Sequence, residues 1–434
     1  MLYYSTHKQS EPVDFQYALL KGLANDGGLY MPQSIPKLPE DFWHELPSMS
    51  LEETGYRVAK SFLGSEIPDQ ELKRICYDTL SFDMPLVSID ENIRTLELFH
   101  GPTMAFKDVG ARFMSRLMGF FLSKKQQNLK VIVATSGDTG SAVAAGFFNV
   151  PGIEVYVLFP RNKVSPLQQK QITTWGGNIK ALEIEGTFDD CQALAKKTLA
   201  DKELNTKHLI TSANSINIAR LLPQSFYYFH AAAQLNNTYR PLVFSVPSGN
   251  FGNLSAGLLA QKMGLNIHRF VAATNSNDVV PVYFQTARYN PVPSHQTISN
   301  AMDVGNPSNY ARMMELFGNN HQQFRENIYA CSFSDEQTRQ AIHHLLNNHQ
   351  YLPDPHGAVA WLGAREYLEK ENNDANIIFL ETAHPAKFPE TLPLYMKMKG
   401  SLPDQLKAIE HKQESFVSLP NDYPELKQLL MYSD

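Results

Sequence analysis

The chain has 434 residues, which is long enough for two or three domains and a large buried core. Its 38 basic and 44 acidic residues give a net charge of −6 at pH 7, which argues against nucleic acid or an anionic membrane surface as the main partner. No apolar run approaches the roughly 20 residues that would span a bilayer, and the first residues lack the layout of a secretion signal. We therefore expect a cytoplasmic protein that binds neither nucleic acid nor membrane.

Residues 1–90 mix helical patterns with proline-rich joins such as residues 31–39. The segment 25–30, Asn-Asp-Gly-Gly-Leu-Tyr, is a turn by composition. Nothing in this part indicates catalysis by itself. We expect a small N-terminal module that covers or supports the main domains.

From Ile93 onward, short apolar runs alternate with helical segments. Several runs are flanked by helices of about a dozen residues, which is typical of βαβ units in a mostly parallel sheet. The predicted class is therefore α/β. The predicted strands cover residues 94–99, 130–134, 154–159, 179–184, 209–211, 242–246, 270–273 and 377–381.

A helix that begins near Met104 would place Lys107 off its polar stripe. That stripe consists of Asp108, Arg112, Ser115 and Arg116. The neighbours of Lys107 along its own face are Gly110, Ala111, Met114 and Met118. A desolvated lysine loses its proton more easily, as a Schiff-base or nucleophilic lysine must. The alternative is a lysine whose stem is buried while its ammonium stays in water, and for an isolated lysine this interpretation is favoured.

Two predicted strands run into small-residue loops that begin helices, an arrangement that points backbone N–H groups at an anion. The first loop is Thr-Ser-Gly-Asp-Thr-Gly at residues 135–140, and it could equally be a plain turn. The second is Pro-Ser-Gly-Asn-Phe-Gly-Asn at 247–253, where two glycines allow close approach and Ser248 and Asn250 add donors. Neither loop has a dinucleotide or Walker pattern, so a lone phosphate monoester fits better. A phosphate loop together with a neutral lysine is what a pyridoxal-phosphate enzyme needs.

Two later segments are expected to be accessory. Residues 289–307, rich in Pro, Asn and Ser, are predicted to form an ordered excursion over the surface. Residues 315–349, which include His343 and His344, are predicted to form polar-faced helices, since no carboxylates converge there to hold a metal. Cys76, Cys191 and Cys331 fall into no metal-ligand spacing either, so we expect buried or incidental thiols and no metal.

The predicted strand 377–381 ends at Thr382. A hydroxyl at the C-terminal end of a buried strand can bond a ring nitrogen that lies in the crevice there. An ordinary strand-end threonine is an equal alternative.

Taken together, the sequence resembles the threonine synthase family, in its long bacterial and fungal form, within the pyridoxal-phosphate fold type II superfamily. The order and separation of the motifs match that family. Many fold type II relatives have asparagine where this chain has Asp138. The motifs lie at residues 3–6, 25–30, 99–103, 106–108, 135–140, 212–217, 248–253, 354–357 and 382–385.

The resemblance implies a tryptophan synthase β-like fold with mostly parallel sheets in two domains, helices on both faces and a small N-terminal module. It divides the chain into that module (1–90), an α/β region with the cofactor lysine and substrate site (91–240), and an α/β region that binds the cofactor phosphate and ends in helices (241–434). The implied enzyme is a monomer or homodimer. Its implied reaction converts O-phospho-L-homoserine and water to L-threonine and phosphate by γ-elimination and then β-addition of water, the last step of threonine biosynthesis.

The resemblance also assigns roles to residues. Lys107 would hold pyridoxal 5'-phosphate as a Schiff base and then move protons, and Thr382 would bond the ring nitrogen. The cofactor phosphate would bind Ser248, Gly249, Asn250, Phe251, Gly252 and Asn253. The substrate carboxylate and the cofactor's ring hydroxyl would lie against Thr135, Ser136, Asp138, Thr139 and Gly140. The leaving phosphate needs cations and donors of its own, for which the candidates are Lys163, Ser212, Asn214, Asn217 and Arg220.

Three alternatives remain at this stage. A serine or threonine dehydratase or a β-replacing synthase would share the cofactor site but would not need a second cationic phosphate pocket. A phospho-lyase for an amino-alcohol phosphate would keep both phosphate sites. A non-catalytic relative would not need Lys107, the phosphate loop and Thr382 together.

Overall fold

The structure is a computed structural model that describes residues 1–124, 128–235, 240–371 and 374–432. Its N-terminal part forms a two-stranded antiparallel ribbon and four helices. These elements are β1 (Tyr3–Ser5), α1 (Phe15–Lys21), β2 (Tyr30–Pro32), α2 (Glu40–Glu45), α3 (Leu51–Leu63) and α4 (Asp69–Thr79). The helix α3 begins at the side-chain cap of Ser50 and buries one apolar face, so its amphipathic sequence accounts for its packing.

The next part of the chain alternates strands and helices. Its elements are β3 (Leu86–Ser88), β4 (Ile93–Glu97), α5 (Lys107–Ser123), β5 (Leu129–Ala134), α6 (Asp138–Phe147), β6 (Ile153–Pro160), α7 (Pro166–Thr173), β7 (Ile179–Glu185), α8 (Phe188–Ala200), α9 (Lys202–Lys207), β8 (Leu209–Ser212), α10 (Ile218–Leu221) and α11 (Phe226–Gln234).

The same alternation continues to the C-terminus. The elements there are β9 (Leu242–Pro247), α12 (Gly252–Met263), β10 (Arg269–Thr274), α13 (Val279–Thr286), α14 (Tyr310–Leu316), α15 (His321–Asn327), β11 (Ile328–Ser332), α16 (Asp335–His349), α17 (Pro355–Glu371), β12 (Asn376–Glu381), α18 (Leu392–Lys399), α19 (Asp404–Glu410), β13 (Val417–Pro420) and α20 (Tyr423–Tyr432).

Two sheets organise these elements. The six-stranded sheet has the order β11-β10-β9-β12-β4-β3 and is parallel except for the pairing of β3 with β4. The five-stranded sheet has the order β13-β7-β6-β5-β8 and is entirely parallel. The central strands β5 and β12 are buried along their whole length, as expected for parallel strands with helices on both faces. The predicted α/β class with a small N-terminal module is confirmed.

The two sheets do not divide at residue 240. The strand β4 precedes that residue but lies in the six-stranded sheet beside β12, with Ile93 in register with Ile377. The strand β13 follows it but pairs with β7 of the five-stranded sheet. The boundary predicted at residue 240 lies between α11 and β9. Each of the two sheets contains strands from both sides of that boundary.

The eight predicted strands are confirmed as β4 to β10 and β12, with ends that shift by at most two residues. The prediction for residues 315–349 is wrong in part, because the buried strand β11 lies between α15 and α16. Its apolar run is too short to stand out, and its pairing with β10 comes from the tertiary structure.

Two further expectations needed correction. The helix predicted from Met104 begins at Lys107, since Met104 adopts a left-handed backbone with φ of 59°. Residues 289–307 were predicted to form an ordered excursion over the surface, but they include a short 3-10 helix (Asn300–Met302) and do not run only over the surface. Thr297, Ser299 and Met302 within that segment are buried.

Several general features of the composition can be compared with the structure. Cys76, Cys191 and Cys331 are all buried free thiols, as expected. Within the described ranges, no helix is long and apolar enough to cross a membrane. The same ranges contain no group of three His, Cys, Asp or Glu side chains that could hold a metal ion.

Arg312 joins the N-terminal part to the rest of the molecule. Its side chain is fully buried on α14 and donates to the carbonyl oxygens of Tyr30, Ser215 and Ile216 and to Oδ1 of Asn309. None of the described carboxylates forms an ion pair with it, and burial lowers the pKa of Arg312 to about 9. The guanidinium therefore connects β2, the segment after β8 and α14 through hydrogen bonds to neutral acceptors.

We expect Arg312→Met to be strongly destabilising, because three buried carbonyl oxygens would lose their donors. The loss should be about 3 kcal/mol, read as a lower urea midpoint of unfolding by tryptophan fluorescence. Arg365→Met is the matched control, since Arg365 is half exposed, pairs with Glu369 one turn away and lies over the ring of Trp361. An equal midpoint for the two variants would contradict this account of Arg312.

Candidate active site

A cavity lies where the C-terminal ends of several strands meet the N-termini of α5 and α12. The ends of β5, β8, β9 and β12 all contribute to it, as is usual for ligand sites in parallel sheets. The segment after α13, through Ala301 and Met302, closes the opposite side. Sequence-predicted residues that line the cavity are Lys107, Ser136, Thr139, Asn214, Arg220, Gly249, Asn250, Phe251, Gly252, Asn253 and Thr382.

Lys107 is the first residue of α5, and its half-buried side chain faces this cavity. The residue before it, Phe106, donates its backbone N–H to the carbonyl oxygen of Thr382 at 2.9 Å. Burial lowers the pKa of Lys107 to about 8, with the positive charges of Arg220 and Lys387 adding to the effect and Asp138 opposing it. The amine of Lys107 is therefore easier to deprotonate than that of an ordinary lysine.

The loop between β9 and α12 has the features of a phosphate site. Phe251 adopts a left-handed backbone with φ of 59°, directly before α12 begins at Gly252. A Cβ on Gly249 would lie 2.7 Å from the Cα of Met302, so only glycine fits there. Asn253 uses Oδ1 to accept from Tyr228, while its buried Nδ2 has no partner within the described residues. An unused donor at a helix N-terminus fits a phosphate group.

Ser248 has a different position from its neighbours in this loop. Its hydroxyl donates to the carbonyl oxygen of Val246 at 2.9 Å, and its side chain is not among those that line the cavity. Its backbone N–H donates to Ala273 of β10. Ser248 therefore shapes the loop within the fold.

Thr382 follows β12 at the edge of the cavity. Its side chain is largely buried, and its hydroxyl makes no hydrogen bond to any described residue. A neutral hydroxyl in this position fits a ring nitrogen. Because Thr382 and Phe106 share a backbone hydrogen bond, this hydroxyl and the amine of Lys107 are held on adjacent segments.

The loop after β5 divides into lining and internal residues. Ser136 and Thr139 line the cavity. Thr135 is fully buried, and its Oγ1 accepts from the backbone N–H groups of Gly137 and Gly140 at 2.9 and 2.8 Å. A Cβ on Gly140 would lie 2.5 Å from Thr135 Cγ2. Thr135 and Gly140 thus fix the loop that presents Ser136 and Thr139.

Asp138, at the start of α6, forms a buried ion pair that the sequence did not suggest. Its Oδ1 lies 2.6 Å from Nζ of Lys387 and also accepts from Gln168 at 2.9 Å. Burial alone would raise the pKa of Asp138, but the charges of Lys387 and Lys107 outweigh it and hold the pKa at about 2. Lys387 was missed because a lysine in the turn after β12 has no local pattern that distinguishes it from a surface residue.

The structure places the four candidates near β8 differently. Arg220 is buried at the cavity wall, where Nη1 donates to Ala213 and Nε has no partner within the described residues. Asn214 lines the cavity, although its amide bonds both backbone groups of Ala134. Ser212 bonds Asn214 and does not line the cavity. Asn217 is fully buried as the cap of α10, so it too lies away from the cavity.

Lys163 is exposed in a second cavity beside the first. The two cavities share Ser136 and Phe188 as lining residues. Asn300 and Asp303 lie in the second cavity with Lys163. Burial raises the pKa of Asp303 to about 7, although hydrogen bonds from Thr297 and Asn275 oppose the rise. The second cavity is therefore lined by a lysine that forms no ion pair within the described ranges and by a carboxyl group that is partly protonated near neutral pH.

His356, within the motif at residues 354–357, is another residue that lines the cavity, but the sequence predicted no role for it. Its Nδ1 lies 2.6 Å from Oδ1 of Asp354, and its Nε2 accepts from the backbone N–H of Ala301 at 3.2 Å. Oδ2 of Asp354 accepts from the backbone N–H of Ala383 at 2.8 Å. Burial raises the pKa of the adjacent Glu381 well above its usual range. His356 thus connects the segment after α13 to the turn after β12.

Comparison with known proteins gives a consistent result. The family described as pyridoxal-phosphate dependent enzyme matches residues 94–382. The family descriptions threonine synthase N terminus and threonine synthase, C-terminal match residues 2–80 and 357–430. The chain is 40% identical to threonine synthase of Escherichia coli strain K12 and 41% identical to that of Haemophilus influenzae, with 99% of each chain covered in both cases.

Solved structures are similar over the same length. The crystal structure of threonine synthase from Escherichia coli has a TM-score of 0.93 at 40% identity and covers 99% of both chains. The structure of pyridoxal-phosphate-bound threonine synthase from Brucella melitensis has a TM-score of 0.91 at 36% identity, covering 99% of this chain and 98% of the other.

We expect Gly249→Ala to weaken the binding of pyridoxal phosphate by at least roughly tenfold, because the new methyl group would push the loop away from Ala301 and Met302. Spectroscopic titration of the apo protein with the cofactor measures this affinity. Gly119→Ala is the matched control, since Gly119 lies inside α5 and a Cβ there would meet only Val150, at an ordinary contact distance. Equal affinities for the two variants would remove Gly249 from the phosphate site.

Proposed function

Because the chain belongs to the threonine synthase family of pyridoxal-phosphate-dependent lyases, we propose that its substrate is O-phospho-L-homoserine, converted with water to L-threonine and phosphate. The observation that carries the proposal is the pair of adjoining cavities. One has a lysine of lowered pKa beside a phosphate-type loop, and the other has the cation Lys163. A substrate that brings its own phosphate to a pyridoxal-phosphate site needs both.

The residues of the first cavity fit the cofactor. Its phosphate would lie on the loop of residues 249–253, where Asn253 Nδ2 and the N-terminus of α12 supply donors. Thr382 would bond the ring nitrogen and, being neutral, would leave that nitrogen unprotonated. Lys107 would hold the cofactor covalently through Nζ. When bound, pyridoxal phosphate delocalises the negative charge that develops on the substrate carbon atoms.

Lys107 is the residue we assign to proton movement. Its lowered pKa keeps a useful fraction of the amine neutral, so Nζ can take the proton from the substrate Cα and, once it has released that proton to solvent, a second proton from Cβ as the γ-phosphate leaves. The same amine, once protonated, can return a proton at Cγ after phosphate has left. Water then adds its oxygen at Cβ and releases one proton, which balances the proton that returns to Cα, while the departing phosphate carries away the remaining proton.

The remaining lining residues bind the substrate. Ser136 and Thr139 present hydroxyls beside the N-terminus of α6, where an α-carboxylate is favoured by the helix dipole. Arg220 and Lys163 supply positive charge for the γ-phosphate, since an uncompensated dianion in a buried site is costly. The Nε of Arg220 is buried without a partner in the described part of the chain, which supports an anion beside it.

Product analysis tests this proposal directly. Purified enzyme should release threonine and inorganic phosphate in equal amounts from O-phospho-L-homoserine, and little ammonia or ketoacid from serine. Release of phosphate with a ketoacid and ammonia instead of threonine would favour a phospho-lyase. Turnover of serine at a comparable rate would favour a dehydratase.

We expect attachment of pyridoxal phosphate to the apo enzyme to become faster as pH rises through about 8, because only the neutral amine of Lys107 attacks the aldehyde. At pH 7 roughly a tenth of the amine would be neutral, against well under a thousandth for an ordinary lysine. Stopped-flow absorbance measures the rate, and Lys107→Ala should show no covalent attachment and no borohydride reduction. A midpoint near that of an ordinary lysine, or reduction of the variant at another residue, would contradict the assignment.

We expect Lys163→Ala to raise the KM for O-phospho-L-homoserine by roughly tenfold or more, because a charge-assisted contact to the phosphate is lost. Steady-state kinetics measures the change. The affinity for pyridoxal phosphate should stay the same, since Lys163 lies outside the first cavity. Lys180→Ala is the control, because Lys180 is exposed on β7 and lines neither cavity. An unchanged KM would remove Lys163 from the site.

A further inference from the structure

The buried pair of Asp138 and Lys387 has no role in the steps described above. Both side chains are almost completely removed from solvent, and Nζ lies 2.6 Å from Oδ1. Nζ also donates to the carbonyl oxygen of Thr103 at 2.8 Å, and Gln168 donates to the same Oδ1 at 2.9 Å. A buried charge is costly unless it is paired, so each member of the pair requires the other.

The hydrogen bonds leave one oxygen of Asp138 unused. Oδ1 accepts from two donors, whereas Oδ2 has none within the described residues. Asp138 lies next to Ser136 and Thr139 in sequence, and both of those residues line the cavity. Gln168 and Lys387 therefore fix the carboxylate through Oδ1 and leave Oδ2 without a described donor, although Asp138 itself is not among the residues that line the cavity.

The pair acts on Lys107 with two opposite charges. Asp138 raises the pKa of Lys107, and Lys387 lowers it. Arg220 also lowers it, and Asp354 raises it. His356 is a further titratable group near this pair, and its charge lowers the pKa of Asp138. If Lys387 were neutral, only Arg220 among these groups would oppose the effect of Asp138 on Lys107.

We propose that Lys387 is a positioning residue that neutralises Asp138. Asp138 can then offer an acceptor at a fixed place to the ring hydroxyl of the cofactor without adding net negative charge beside Lys107. This role rests on the proposed function, because it requires the cofactor to be linked to Lys107. Oδ1 is occupied by Lys387 and Gln168, so Oδ2 is the atom that would accept.

The test is a pH titration of the visible absorption band of the holoenzyme, which reports protonation at the Lys107 linkage. Lys387→Met leaves the negative charge of Asp138 unopposed, so the titration midpoint should rise by roughly one unit. Asp138→Asn leaves the positive charge of Lys387 unopposed, so the midpoint should fall by a similar amount. Midpoints that do not move, or that move in the same direction, would overturn the proposal.

Thermal melting of the same holoenzymes gives a second readout. Each single variant should melt below the wild type, because each leaves one buried charge without its partner. The double variant Asp138→Asn with Lys387→Met restores neutrality and should melt above both single variants. If one single variant does not fold, the proposal is still tested by the titration midpoint of the other single variant and by the melting temperature of the double variant. A double variant that melts below a single variant would overturn the proposal.

A surface lysine provides the matched control. Lys427 forms ion pairs with Asp201 and Glu203 outside both cavities, and Lys427→Met should leave the midpoint unchanged. A shift equal to that of Lys387→Met would mean that loss of any positive charge suffices, which would overturn the assignment. Loss of the band in Lys107→Ala tests the covalent anchor separately. These measurements therefore distinguish an error in the role proposed for Lys387 from an error in the proposed function.

Discussion

The candidate active site depends on how the charges of its buried side chains balance one another. Lys107, Lys387 and Arg220 are three cationic side chains around one small volume, whereas Asp138 is the carboxylate paired within it. Burial alone lowers the pKa of Lys107 and Arg220, so the protein holds these groups at a cost in stability. In the proposed function the anionic groups of the cofactor and substrate supply the balancing negative charge. The excess of positive charge then becomes part of the affinity for those ligands.

The fold assembles this balance from distant parts of the chain. The order β9-β12-β4 in the six-stranded sheet places the ends of three strands side by side, although β4 and β12 are far apart in sequence. Their adjacency allows Phe106 to bond Thr382 and brings Lys387 within reach of Thr103. Helix N-termini at Lys107 and Gly252 then face the same cavity. The parallel sheet thus fixes the relative position of a lysine, a phosphate-type loop and a neutral hydroxyl.

The sequence was sufficient for features that have a local pattern. Strands such as β5 carry an apolar run, here residues 131–134, because both faces are buried, and the loop before α12 combines glycines with amide side chains. It was insufficient where the role of a residue comes from tertiary contacts. Lys387 and Arg312 look like surface residues in the sequence, yet both are fully buried and bond residues that are far away along the chain. Lys387 bonds Thr103, 284 residues away, and Arg312 bonds Tyr30, 282 residues away. The strand β11 was missed for the same reason, since β10 determines its pairing.

The ion pair of Asp138 and Lys387 has a consequence for how the protein is made. Its two members are separated by more than half of the chain, and β12 must enter the sheet between β9 and β4 before Lys387 can reach its partner. Until the ribosome has synthesised Lys387, the carboxylate of Asp138 lacks this partner. We therefore expect the loop of residues 135–140 to stay hydrated during synthesis of the second half of the chain. In the proposed function, the pocket for the cofactor therefore closes only late in synthesis. Contacts of such long range are also expected to slow folding.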